Sequence, residues 1–198
     1  MDICHPSQYR LGQVFAIAKQ TAKPKELKEM TQTTTQTNST HGYALAKDEG
    51  QAIWTMGERM TMKATRILTG SAFTLTEDLV APGGEPPPHF HENEDEAFYI
   101  LDGELRVTVG DETFHATPGT FIFLPRHIPH HWQVLGGRPA RFLALFTPGG
   151  VEGFFLAMGE PARAATPPPP PSDPPDFDKI VQTAGQYGIR LAGPPLTA

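Results

Sequence analysis

His89-Phe90-His91-Glu92-Asn93-Glu94-Asp95-Glu96, read together with His130, is the stretch from which the fold of this chain is read. His89 and His91 are two residues apart. Successive side chains of an extended strand point to opposite faces, so both imidazoles are expected on one side. Glu96 follows a short acidic bulge and opens Glu96-Ala97-Phe98-Tyr99-Ile100-Leu101, an apolar run that reads as a strand. Imidazole nitrogens with one carboxylate suit a divalent first-row metal, so a metal site is the first functional expectation.

Outward from this stretch, short strand-like runs alternate with turn residues. Upstream are Ala52 to Met56, Met60 to Leu68 and Ser71 to Val80, then a Gly- and Pro-rich loop from Ala81 to Pro88. Pro86-Pro87-Pro88 stiffens the approach to His89. Downstream, Asp102-Gly103 is a hairpin signal and Gly110-Asp111 a second turn, flanking Leu105 to Val109. Thr120 to Leu124, His131 to Leu135 and Arg141 to Phe146 complete the set. Regular short strands of this kind, with 19 glycines and 21 prolines, favour an all-β sandwich or barrel over a helical bundle.

Composition bounds the rest. A formal charge of -6 without a basic block gives no support to nucleic-acid binding. No run approaches the roughly 18 apolar residues of a membrane helix. Val14 to Ala18 is too short for a signal-peptide core. The single cysteine, Cys4, excludes an internal disulfide and fits a reducing compartment, so a cytoplasmic protein is expected. Residues 1–42 read as an N-terminal extension ending in the polar tract Thr31 to Thr40, a flexible linker. Met30, directly before that tract, is expected to be the true start, with 1–29 an upstream over-prediction. Residues 43–147 read as the β domain. Residues 148–198 read as a helical and Pro-rich extension packed on it. Val151 to Met158 forms a short helix there, and Pro167 to Pro171 a polyproline spacer. Phe177, Ile180, Val181, Ala184 and Tyr187 form one face of a further helix, capped by Asp173 or Asp176 and ended by Gly188.

The motifs carry a family resemblance. Gly83, five residues, His89-Phe90-His91, four residues, Glu96, six residues and Gly103 match the first motif of the cupins at every fixed position. Gly119, five residues, Pro125-Arg126-His127, two residues and His130 resemble the second. There His127 stands for a glycine and Val134 for an asparagine, so a residue with a side chain must make the turn after Pro125. The tail, Phe146 to Phe155 and Tyr187 to Arg190, resembles more loosely that of small quercetin-dioxygenase-like cupins. The resemblance implies a double-stranded β-helix, a small jelly-roll barrel with an N-terminal extension and a C-terminal helix, usually a homodimer. It implies that His89, His91, Glu96 and His130 bind one divalent transition metal ion in the barrel: Fe, Mn, Ni, Co, Cu or Zn.

Such a site leaves one or two coordination positions for water, dioxygen or a chelating substrate. The leading functional expectation is a metal-dependent dioxygenase of quercetinase type, acting on a small aromatic or enolisable substrate. In that reading Glu96 is also the catalytic base. A cupin isomerase or decarboxylase, and a non-catalytic small-molecule binder, stay open as alternatives. Phe98, Ile100, Trp132 and Val134 share the parity of the ligands and are candidates for an apolar substrate pocket, although core packing accounts for each equally well. His131 points away from His130 on the same strand. His127 is a turn residue near the mouth. Glu92, Glu94 and Asp95 read as a solvated acidic loop, and His115, His41 and His5 as surface residues.

Overall fold

The computed structural model describes residues 41–171 and 175–193. The polar tract, the proposed start at Met30, His5 and Asp173 lie outside them. Within them the chain runs β1 (Gln51–Thr55), β2 (Glu58–Ala64), α1 (Arg66–Thr69), β3 (Thr74–Val80), β4 (His89–His91), β5 (Asp95–Asp102), β6 (Glu104–Val109), β7 (Glu112–Ala116), β8 (Phe121–Leu124), β9 (His130–Leu135), β10 (Ala140–Thr147), α2 (Glu152–Met158), β11 (Glu160–Pro161), α3 (Phe177–Gln186) and β12 (Ile189–Leu191).

Strict alternation of side chains explains why these segments form sheets. In β3 every second residue from Thr74 to Val80 is buried, and in β10 every second residue from Ala140 to Phe146. Such strands present one face to a core and one to water. Antiparallel pairing gives a seven-stranded sheet, β11-β1-β2-β3-β10-β5-β8, and a five-stranded sheet, β12-β4-β9-β6-β7. The first sheet supplies Val80, Phe98, Ile100 and Phe142 to one buried cluster, and the second supplies Leu105, Val107, Trp132 and Val134. The architecture is an all-β jelly-roll barrel.

Three local expectations change. The Asp102-Gly103 turn does not close a hairpin. β5 pairs with β10 and β8, whereas β6 pairs with β7 and β9, so the chain turns from one sheet to the other there. Gly103 makes that corner with φ 75°, and a Cβ on it would come within 2.7 Å of Ala140 Cα. The run from Met60 stops as a strand at Ala64, and Arg66–Thr69 is helical, closed by Gly70 in the left-handed region. β7 was not expected. All its residues but Ala116 are exposed, so it lacks the apolar alternation that marks a strand.

The C-terminal segment contributes more than a helix. Asp176 caps α3 by accepting from the Lys179 amide at 3.0 Å. Of the expected apolar face, Ile180 and Ala184 are buried, while Phe177 and Val181 are exposed. Val151, Phe154, Ala184 and Ile189 join the barrel's own core cluster. β12 then adds a strand beside β4. Three residues without alternation give a sequence no means of announcing such a strand.

Candidate metal centre

β4 is only three residues long, held between β9 and β12. His89 stands directly opposite His130, and His91 opposite Ile189. The three imidazoles therefore come from the five-stranded sheet, whereas Glu96 reaches them from β5 of the other sheet. One ligand atom from each of His89, His91, Glu96 and His130 lies within 4.8 Å of the others. Glu96 Oε2 is 3.1 Å from His130 Nε2 and 3.5 Å from His91 Nε2.

The surroundings orient these rings. The Pro87 carbonyl lies 2.9 Å from His89 Nδ1, and the Ile128 carbonyl 3.1 Å from His130 Nδ1. A carbonyl can only accept, so each Nδ1 carries a hydrogen, and Nε2 is the ring atom left to face a metal. Glu96 Oε2 and His130 Nε2 are buried without a hydrogen-bond partner. Leaving such atoms unpaired is costly, and a cation between them would remove the cost. The donor set and its orphaned atoms fit a divalent transition metal.

Electrostatics prepare the cluster unevenly. Burial, and then the neighbouring His130 and His91, push His89 down to about 3, so its ring is neutral at physiological pH. Burial also works against a charged His91, but Glu94 and Glu96 outweigh it and hold His91 up to about 9. Burial works upward on Glu96, yet the His130 and His91 imidazoles hold it well below the usual carboxylate range. At neutral pH the metal-free chain thus keeps a proton on His91 that a metal must displace. Loading with a divalent metal at pH 7 is expected to release about one proton, and affinity is expected to rise with pH up to about 9. Titration calorimetry in buffers of different ionisation enthalpy measures this, and zero release contradicts it. The same shift has a stability consequence. A folded value above the ordinary 6.5 stabilises the metal-free fold fully below 6.5, and the gain is lost as pH rises through about 9.

Of the acidic run only Glu94 is turned inward, while Glu92 and Asp95 stay accessible to solvent. Glu94 is 5% exposed and lies 3.7 Å from His91 Nδ1, too far for a hydrogen bond but close enough to act on its charge. Asp95 accepts two hydrogen bonds from the Arg126 guanidinium, at 3.1 and 2.9 Å, tying β5 to the turn before β9. Glu92 is bidentate to Arg190 of β12, both bonds 3.0 Å. His127 occupies the left-handed region at φ 66°, as the missing glycine requires, and its amide donates to the His91 carbonyl at 2.8 Å. His115 is exposed against Glu104. His131 is half-buried on the opposite face from His130.

A cavity of about 80 Å³ adjoins the cluster, with His89, His91 and Glu96 on its wall. Phe98 and Trp132 line it. Ile100 and Val134 do not: both are buried in the core, and the Val134 amide donates to Glu85. Parity places a side chain inside the barrel but does not say at which depth. Ile100→Ala is accordingly expected to cost about 2–5 kcal/mol in urea unfolding while leaving metal content unchanged. Loss of metal at full stability would reverse that assignment. Phe154, Phe155, Ile180, Ala184, Ile189 and Leu191 close the cavity from the C-terminal segment. The sequence offered no direct signal for that lid. Glu58 and Asp78 also line the cavity. Their signal was available: each breaks an inward-facing set of otherwise uncharged residues.

Comparison with known proteins follows the same lines. The cupin domain family model matches residues 77–146, which hold all four clustered side chains. Quercetin 2,3-dioxygenase of Bacillus subtilis is 23% identical over 154 residues, 77% of this chain and 44% of that enzyme. The chain therefore spans less than half the length of that relative. An uncharacterised protein of Methanocaldococcus jannaschii is 30% identical over 82 residues, 41% of this chain and 66% of that one. Among solved structures, an RmlC-like cupin from Shewanella frigidimarina has 18% identity and a TM-score of 0.48, covering 57% of this chain and 96% of that one. No described helix is long and apolar enough to cross a membrane. With both motifs, the jelly-roll barrel and the matched family model in agreement, the chain belongs to the cupin superfamily.

Proposed function

We propose that this cupin binds one divalent transition metal through His89, His91, Glu96 and His130 and is a dioxygenase of quercetinase type. The observation that carries the reading is the convergence of three imidazoles and one carboxylate, within 4.8 Å of each other, beside an apolar cavity. The partial similarity to a quercetin 2,3-dioxygenase supports it. Bound there, the metal would supply Lewis-acid polarisation of a substrate oxygen and access to dioxygen.

The chain's own residues do the rest. Phe98, Trp132, Phe142 and Phe146 enclose the substrate's apolar body and exclude water. The Glu96 carboxylate, when a substrate oxygen takes its place on the metal, accepts the proton of the substrate hydroxyl. A cavity of about 80 Å³ is smaller than the roughly 150 Å³ that holds benzene, so small enolisable compounds fit it better than flavonols. The homodimer and cytoplasmic location belong to the same reading. The dimer is supported by Tyr99, Phe121 and Phe123, exposed on the outer side of β5 and the edge strand β8.

Oxygen uptake is the test, using the Fe, Mn, Ni and Co forms with diketones and flavonols. Consumption with diketones is the expected result. No uptake by any form with confirmed metal content would overturn the dioxygenase reading. It would leave an isomerase, decarboxylase or binding role.

A further inference from the structure

The same cavity holds a second polar locus that the metal centre does not use. Glu58 of β2 and Asp78 of β3 both point inward, in strands whose other inward residues are Met60, Met62, Thr74, Thr76 and Val80. Their strands are paired, with Glu58 opposite Val80 and Met60 opposite Asp78, so the two carboxyls are diagonal neighbours on one inner face. Both line the cavity wall. Asp78 is 2% exposed and its Oδ1 has no hydrogen-bond partner, while its Oδ2 accepts from Thr76 at 3.1 Å. Among the described residues no basic nitrogen lies within 4.0 Å of either carboxyl, and Glu58 makes no side-chain hydrogen bond.

A core has no use for this arrangement. An unpaired buried carboxyl is destabilising, and a barrel closed by Met or Leu at these places would be more stable. Costs of this kind are retained where a ligand repays them. Burial raises both groups well above the usual carboxylate range, so each is at hand as a hydrogen-bonding acid or acceptor rather than as an isolated charge.

We propose that Glu58 and Asp78 form a substrate-recognition subsite that binds a hydroxyl or amine hydrogen-bond donor of a compact substrate whose other end chelates the metal. The inference rests on the metal-centre reading above and deepens it. The substrate class is a small metal-chelating molecule carrying a further donor group, and a purely hydrocarbon tail is disfavoured. Glu58 and Asp78 are specificity residues here. The proton abstracted in the reaction remains the task of Glu96.

An isosteric pair of probes tests this. Glycolohydroxamate and propionohydroxamate chelate a metal identically and differ by a hydroxyl in place of a methyl. Their binding to the full chain loaded with Co(II) is followed by visible absorption and calorimetry. An apolar wall favours the methyl. A wall with free acceptors favours the hydroxyl, by roughly tenfold for one well-made hydrogen bond. The wild type is expected to prefer glycolohydroxamate. Glu58→Met with Asp78→Leu is expected to reverse the preference, keep its cobalt and melt at a higher temperature. Glu58→Gln with Asp78→Asn, which keeps the acceptor oxygens, is expected to retain the preference in part. Equal binding of both probes by the wild type, or an unchanged preference in the Met/Leu variant, overturns the subsite. Failure to bind cobalt or either hydroxamate would instead count against the metal centre, so the two failures are told apart.

Discussion

Replacing His130 by alanine is expected to lower divalent-metal affinity by at least about 100-fold, since loss of even an outer-shell partner commonly costs 10–100-fold. The barrel should stay folded. Its core is the apolar cluster of residues such as Phe98, Phe142, Leu105 and Val107, which His130 does not belong to. His130 faces His89 across the β4–β9 pair and lies 3.1 Å from Glu96, so its removal takes one donor from the middle of the cluster. Elemental analysis after dialysis, with circular dichroism as the control, reads both effects. Full metal content in a folded variant would remove His130 from the ligand set.

Glu96→Gln is expected to reduce turnover by about 10²–10⁴-fold with most of the metal retained, the range for loss of a general base. Glutamine keeps an oxygen at the position of Oε1 or Oε2 and the packing against His91 and His130, but it cannot take a proton. Steady-state oxygen uptake beside metal analysis separates the possibilities. Turnover lost together with metal makes Glu96 a ligand alone. Turnover kept at the wild-type level removes the base role.

The two outcomes concern groups that differ in how legible they are. His89 and His91 share a strand, and their common face follows from a period of two. Glu96 and His130 sit on other strands, and spacing alone gives no contact between them. Their grouping rested on a family pattern, and the barrel supplies the physical reason: β9 lies beside β4, and β5 faces them from the opposite sheet. Strand positions were readable wherever one face was apolar, as in β9 and β10. They were not readable in β7, which is nearly all exposed, nor in β12, which is three residues long. The pocket was half legible. Parity placed Phe98 and Ile100 on the same inner face, but only Phe98 stands at the depth of the cavity. Glu94 shows the opposite error. An acidic loop residue is ordinarily solvated, yet Glu94 is folded inward against His91.

By itself, then, the sequence determined the strand periods, the turns that require glycine, and a set of residue types suited to a transition metal. Those are local properties, set by backbone geometry and by the chemistry of single side chains. Tertiary structure decided which sheet each strand joins and how the C-terminal segment closes the cavity. It also decided which buried acids are left unpaired, Glu58 and Asp78 among them. These depend on pairings between residues far apart in the chain, and burial, the cause of the unusual charge states here, exists only once those pairings are made.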